Sequence, residues 1–163
     1  HLLGLGHRRI MHVTGPSGNT LSQSRAAGVA QALGPLGLAP VARMEGAFTL
    51  ASGHAAAAAL MAEPARPTAV FCDNDEMAIG LMAGLQARGL RVPEDVSIVG
   101  FDNIEMAAYA NVPLTTVRQR RAHLGRRAAE MLLEHRAAPK LEEELILPVE
   151  LVIRRSTAPL PGA

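Results

Sequence analysis

The sequence predicts an α/β fold, a parallel-sheet three-layer sandwich with helices on both faces. Three observations carry this. Short apolar runs alternate with helix-length segments along the whole chain, which is the βαβα order of a largely parallel sheet. Val96-Ser97-Ile98-Val99 breaks off abruptly into Gly100-Phe101-Asp102-Asn103, as a buried strand does when it delivers a carboxylate to a crevice. Internal repeats and low-complexity linkers are absent from the 163 residues, so one continuous domain is expected.

The elements follow in order. Ile10 to Thr14 reads as a strand that closes in the turn Gly15-Pro16-Ser17-Gly18. A helix spans about Leu21 to Leu33 and stops at Gly34-Pro35. Pro40 to Met44 is a short strand, and Thr49 is placed to cap an Ala-rich helix from Leu50 to Ala62. Pro64 and Pro67 end it, and Ala69 to Cys72 is the next strand. Asn74-Asp75 precede a helix through Met77 and Leu85 that ends at Gly89, with Asp75 the expected cap of its start near Glu76. Val96 to Gly100 is a strand, Ile104 to Ala110 a short helix, and about Arg120 to Arg136 a longer one. Leu145 to Arg154 alternates as a strand interrupted by Pro148, which points to an edge or a bend. Gly28, in mid-helix, suggests close packing against the sheet.

Composition narrows the function. Hydrophobic residues make up 48% of the chain and charged ones 19%, which argues against disorder. A net charge of +1 gives no general case for nucleic-acid or membrane binding. No stretch approaches the ~18 apolar residues of a membrane span. Cys72 is the only cysteine and sits in an apolar run, so it reads as a small buried hydrophobe. The chain starts at His1 without an initiator methionine, and its first residues look like a helix end. A piece of a longer protein is therefore expected.

In such a sheet the ligand crevice lies beyond the carboxyl ends of the strands. Asp73, Asp75, Glu76 and Asp102 would gather there, as a magnesium or phosphoacceptor site requires. A phosphoacceptor also needs a lysine on a late strand, whereas Lys140, the only lysine, sits beside Pro139 in an expected loop. Arg25 is either part of a solvated helix face or a planar donor fork aimed across the strand ends. Phe48 and Phe101 fall at strand-to-helix junctions, where a ring either plugs the core or stacks on a sugar or base. Neither the six histidines nor the Gly15–Gly18 turn has metal-ligand or phosphate-loop spacing. Arg118, Arg120, Arg121, Arg126 and Arg127, interleaved with Glu130 and Glu134, read as a solvated face or a subunit contact.

Taken together, Leu5-Gly6-His7-Arg8-Arg9-Ile10, Ser24-Arg25-Ala26-Ala27-Gly28, Asn74-Asp75-Glu76-Met77-Ala78-Ile79-Gly80, Ile98 to Asn103 and Pro113 to Gln119 resemble the motifs of the LacI/GalR family of bacterial transcription regulators. The resemblance implies a periplasmic-binding-protein-like fold, with a ligand held between two lobes. Residues of about 10–115 and 145–155 would form the C-terminal lobe, and about 118–137 a helical segment of the N-terminal lobe. The DNA-binding domain would lie outside residues 1–163. Carried over residue by residue, Arg25, Asn74 and Asp102 would hydrogen-bond a small polar effector, sugar or nucleoside-like, and Phe48 would stack on it. Gln119 would sit near the hinge, and Met77, Met82 and Leu85, partly exposed, would line a homodimer interface. Ala47 and Leu21 depart from the family pattern, which leaves the ligand's identity open. The implied protein is cytoplasmic and non-enzymatic, uses no cofactor or metal and no membrane, and meets operator DNA only through the missing domain. An exported solute-binding protein of the same fold and a magnesium-dependent phosphoryl-transfer enzyme are the competing classes.

Overall fold

The computed structural model describes residues 1–137, 145–160 and 162. Lys140 lies outside the described residues. The elements are β1 (Ile10–Thr14), α1 (Thr20–Leu33), β2 (Ala42–Glu45), α2 (Leu50–Ala62), β3 (Ala69–Cys72), α3 (Asp75–Gln86), β4 (Ser97–Asp102), α4 (Glu105–Tyr109), β5 (Thr115–Arg118), α5 (Arg121–Ala137) and β6 (Glu150–Val152). They build one sheet in the order β2-β1-β3-β4-β5-β6. All neighbours are parallel except β6, which runs antiparallel to β5. The expected α/β sheet is therefore present. Strand order reverses between β1 and β3, the switch point at which such sheets open a crevice.

Residue alternation along the strands assigns the layers. Met11 and Val13 of β1 join the main core with Leu60 of α2, Met77, Leu81 and Leu85 of α3, and Leu114. Ile10, on the opposite face, packs with Leu33 of α1 and Ala69 of β3. The sheet is thus covered by α1 on one side and by α2 and α3 on the other. Each large side chain of the main core contributes about 1.5–3 kcal/mol on leaving water, so the α2–α3 side carries most of the stability.

Three local expectations need correction. Gly28 is exposed, and a β-carbon there would meet nothing within 4 Å. Close approach instead occurs between α2 and α3, where a β-carbon on Gly53 would lie 2.0 Å from the Met77 carbonyl oxygen and one on Gly80 2.0 Å from that of Leu50. The cap of α3 is Asn74, whose Oδ1 accepts from the Met77 N–H at 2.9 Å. Asp75 is already helical and fully buried. The last strand covers only Glu150–Val152, because 145–149, with Pro148, is irregular and β6 is an edge.

Candidate functional site

The carboxyl ends of β1, β3 and β4 and the lead-in to α2 bring the candidate residues to one rim. Asn19 caps α1 by accepting from the Leu21 and Ser22 N–H groups at 2.8 and 3.4 Å. That start places Arg25 on the second turn, facing β4. Its guanidinium lies 4.1 Å from the Phe101 ring centroid, and Nη2 is 3.8 Å from Asp102 Oδ1. Gln119, just after β5, donates from Nε2 to the same oxygen at 2.9 Å. Burial pushes the Asp102 carboxyl above its ordinary value; Arg25, Gln119 and Arg121 pull it back, and Glu76 opposes them. Asp102 nonetheless keeps 29% of its side chain exposed, so an acceptor remains open to solvent between two donors.

Phe48 and Asn74 form a second contact on the same rim. Asn74 Nδ2 donates to the Phe48 carbonyl at 3.0 Å while its Oδ1 caps α3. One amide N–H of Asn74 is left for an outside acceptor. The Phe48 ring lies across Gly15, where a β-carbon would fall 2.1 Å from Cζ and 2.5 Å from Ser22 Oγ. Ser22 stands about one turn before Arg25 on α1, so the two groups of candidates are neighbours. A cleft of about 390 Å³ opens beside them, lined by Thr14, Gly15, Ser17, Ser22, Arg43 and Glu45.

Backbone strain concentrates at this rim. Phe48, Asp102 and Asn103 adopt positive φ of 59°, 114° and 51°. Such conformations cost side-chain-bearing residues on the order of 1–3 kcal/mol each and persist only where surrounding contacts enforce them. For Asp102 and Asn103 these contacts are visible. The Ile104 N–H donates to Asp75 Oδ2 at 2.9 Å, the Asn103 N–H to Thr116 Oγ1 at 3.3 Å, and Arg154 Nη2 to Asn103 Oδ1 at 2.7 Å.

The expected acidic cluster does not act as one group. Asp73 is buried at the switch point, where Oδ1 meets His12 Nε2 at 2.7 Å and Oδ2 accepts from the Gly15 N–H at 2.8 Å. Asp75 is committed to Ile104 and Thr116. Among the described residues no three His, Cys, Asp or Glu side chains are placed to hold a metal ion. Burial raises the Cys72 thiol well above its usual range, with Asp73 and Asp75 adding to the effect, so it stays a protonated core residue.

The expected partial exposure of Met77, Met82 and Leu85 is also corrected. Met77 and Leu85 are fully buried because they face α2 and the sheet, while Met82, 8% exposed, also reaches the edge of a groove. The open side of α3 presents Ile79, Met82, Ala83 and Gln86, which with Met106 and Val112 line this groove of about 400 Å³. In the basic cluster, Arg118 pairs with Glu150 at 2.6 Å and Arg127 with Glu130 at 2.5 Å.

Sequence reasoning placed Gln119 at a hinge and missed its bond to Asp102; its position directly after a strand was the available signal. Arg154 gave none, since its partner Asn103 is 51 positions away.

A family profile described as a periplasmic binding protein-like domain matches residues 1–157. The chain is 39% identical over 164 residues to the HTH-type transcriptional repressor CytR of Escherichia coli, covering 99% of this chain and 48% of that protein. It is 39% identical over 160 residues to the HTH-type transcriptional repressor PurR of Pasteurella multocida, covering 96% and 48%. A solved dimeric Lac repressor with a C-terminal deletion matches with a TM-score of 0.92 at 34% identity, over 98% of this chain and 59% of that one. A complex of the transcriptional regulator CelR with cellobiose matches with a TM-score of 0.87 at 34% identity, over 95% and 48%. The chain spans about half the length of the curated relatives it matches. Profile, repressor relatives and fold agree: the chain belongs to the periplasmic binding protein-like domain family, within its LacI/GalR effector-binding group.

Proposed function

We propose that this chain is the effector-sensing portion of a bacterial transcription regulator. It holds one side of a small polar ligand, sugar or nucleoside-like, and couples occupancy to operator binding by a helix-turn-helix outside these residues. The carrying observation is the Arg25–Asp102–Gln119 group at the strand ends, with the Phe48 ring and Asn74 beside it. A guanidinium supplies paired donors, a carboxylate accepts from neighbouring hydroxyls, and an aromatic face covers the apolar side of a sugar or base. Such a site rejects ligands that leave its polar atoms unpaired.

In this proposal the segment of about 118–137 belongs to a second lobe, and 10–115 with 145–155 to the lobe carrying the site. Support comes from α5, whose side chains are mostly exposed and which meets the other described elements in glancing contact at most. Effector would change the angle between lobes, and so the spacing of two DNA-reading heads in a homodimer joined across the α3–α4 groove. A regulator of this kind works in the cytoplasm and performs no chemistry on its ligand. The repressor relatives favour it over an exported binding protein.

The test is a thermal-shift screen of the full-length gene product against mono- and disaccharides, cellobiose included, and the four ribonucleosides. Binding raises the unfolding temperature in proportion to RT ln(1 + [L]/Kd). Asp102→Ala and Arg25→Ala should each weaken the best binder by about 10- to 100-fold, as loss of a charged hydrogen bond does. A ligand whose shift survives both substitutions would place the site elsewhere.

A further inference from the structure

Asp75 and the strained corner at Asp102–Asn103 are joined by a hydrogen-bond chain with only one direction. The Asn103 N–H donates to Thr116 Oγ1 at 3.3 Å, and the Thr116 hydroxyl donates in turn to Asp75 Oδ1 at 2.5 Å. The next backbone N–H, that of Ile104, donates to Asp75 Oδ2 at 2.9 Å. Two consecutive amides of the corner therefore terminate on the two oxygens of one carboxylate. Thr116 and Asp75 are fully buried, so water does not supply another acceptor. Gly100 leaves the carboxylate room: a β-carbon there would lie 2.3 Å from Asp75 Oδ1. Arg154 holds the same corner from the other side, donating to Asn103 Oδ1 and to the Leu114 carbonyl, each at 2.7 Å.

We infer that Asp75, through Thr116 and the Ile104 amide, is a positioning residue: its ionised carboxylate fixes the corner that aims Asp102 at the ligand. This rests on the reading of Asp102 as a ligand contact, and it adds a control that reading lacks. A proton on Oδ1 makes that oxygen a donor. The Thr116 oxygen would then accept from both sides; the two amides keep their acceptors, but the buried Thr116 hydrogen loses its own and the bonds to Asp75 are no longer charge-assisted, which weakens the hold on the corner.

The groups facing Asp75 decide where this happens. Burial raises its carboxyl to about 6; Thr116 and the Ile104 N–H lower it, Asp102 at the end of β4 raises it, and Arg154 lowers it. On β3 the Cys72 thiol, held protonated by burial with Asp73 and Asp75 adding to the effect, stays neutral. Ligand grip should therefore weaken as pH falls through about 6.

The test has two readouts on the full-length protein. Amide hydrogen exchange at Asn103 and Ile104, relative to β1 and β3 amides, reports the corner without any ligand. Affinity for the best binder among cellobiose and the four ribonucleosides, measured from pH 5 to 8, reports grip. In Asp75→Asn, which replaces the charge-assisted acceptor by a neutral one and does not titrate, exchange should rise about tenfold at Ile104, whose amide ends on Asp75 itself, and by less at Asn103. Affinity should fall by a similar factor and lose the step near pH 6 that the wild type shows. Thr116→Val should free Asn103 more than Ile104, and Thr116→Ser should restore both. Unchanged exchange at Asn103 and Ile104 in Asp75→Asn, or a wild-type pH step that persists in it, would overturn the inference. Loosened amides in a protein that binds none of the probes would uphold the role of Asp75 in the corner and sink the ligand reading of Asp102 instead.

Discussion

At the scale of single residues, the rim trades stability for a held geometry. Asp75 is the plainest case. Its folded pKa of about 6 lies above the 3.8 of an unperturbed carboxyl, so the native state binds this proton more tightly than the unfolded chain does. The sign follows: its contribution to stability is complete below 3.8 and is lost as pH rises through about 6. At neutral pH the lost contribution is on the order of 3 kcal/mol. Chemical denaturation of wild type and Asp75→Asn at pH 4 and pH 7.5 isolates this group. The stability of the wild type relative to the variant should be greater at pH 4 than at pH 7.5; equal differences would show that Asp75 ionises freely in the folded protein. The positive φ at Phe48, Asp102 and Asn103 belongs to the same pattern. Much of this rim was legible in the sequence, since a strand ending in Gly100-Phe101-Asp102-Asn103 and an Asn74-led helix both announce a crevice edge. The supporting contacts were not, because Thr116, Gln119 and Arg154 reach it from strands and turns far along the chain, and long-range side-chain bonds leave no local period to read.

At the scale of elements, the order of strands and helices was readable because each change of period, from two to 3.6, coincides with a Gly, Pro or Asn stop. Packing distances were not readable. A glycine in a helix pattern looks the same whether it faces solvent, like Gly28, or a neighbouring helix, like Gly53 and Gly80. These positions give opposed predictions. Gly28→Ala meets open space and should stabilise the protein by about 0.5–1 kcal/mol through helix propensity. Gly80→Ala forces a β-carbon onto the Leu50 backbone and separates α2 from α3, which should cost about 1–3 kcal/mol or more. Denaturation midpoints at constant slope distinguish them. A Gly80→Ala protein as stable as the wild type would mean that α2 and α3 do not meet backbone to backbone at this glycine. The open stripe of α3 at Ile79, Met82, Ala83 and Gln86 could not be told apart from the sealed one at Met77 and Leu85. One apolar helix can serve both core and partner, and sequence alone does not say which stripe faces inward.

At the scale of the whole molecule, two apolar surfaces among the described residues bear on assembly. One is α5 with the segment before and after β6, where Leu132 is 72% and Ile146 82% exposed. The other is the α3–α4 groove, flanked by Met106 and by Tyr109, which is 80% exposed. Patches of this kind on a small domain mark surfaces that something else covers. The proposal gives them different occupants: a second lobe for α5, and a second copy for the groove. The two should therefore respond separately. Tyr109→Asp with Met106→Glu puts charge into the homodimer contact while touching little of the core, so light scattering of the full-length protein should shift from dimer to monomer, and the unfolding temperature should lose its dependence on protein concentration. Leu132→Glu with Leu133→Glu should leave the dimer intact but lower the unfolding temperature, because charge would be buried against the other lobe without a partner. A dimer that survives the first pair and dissociates with the second would exchange the two assignments and make α5 the contact between copies.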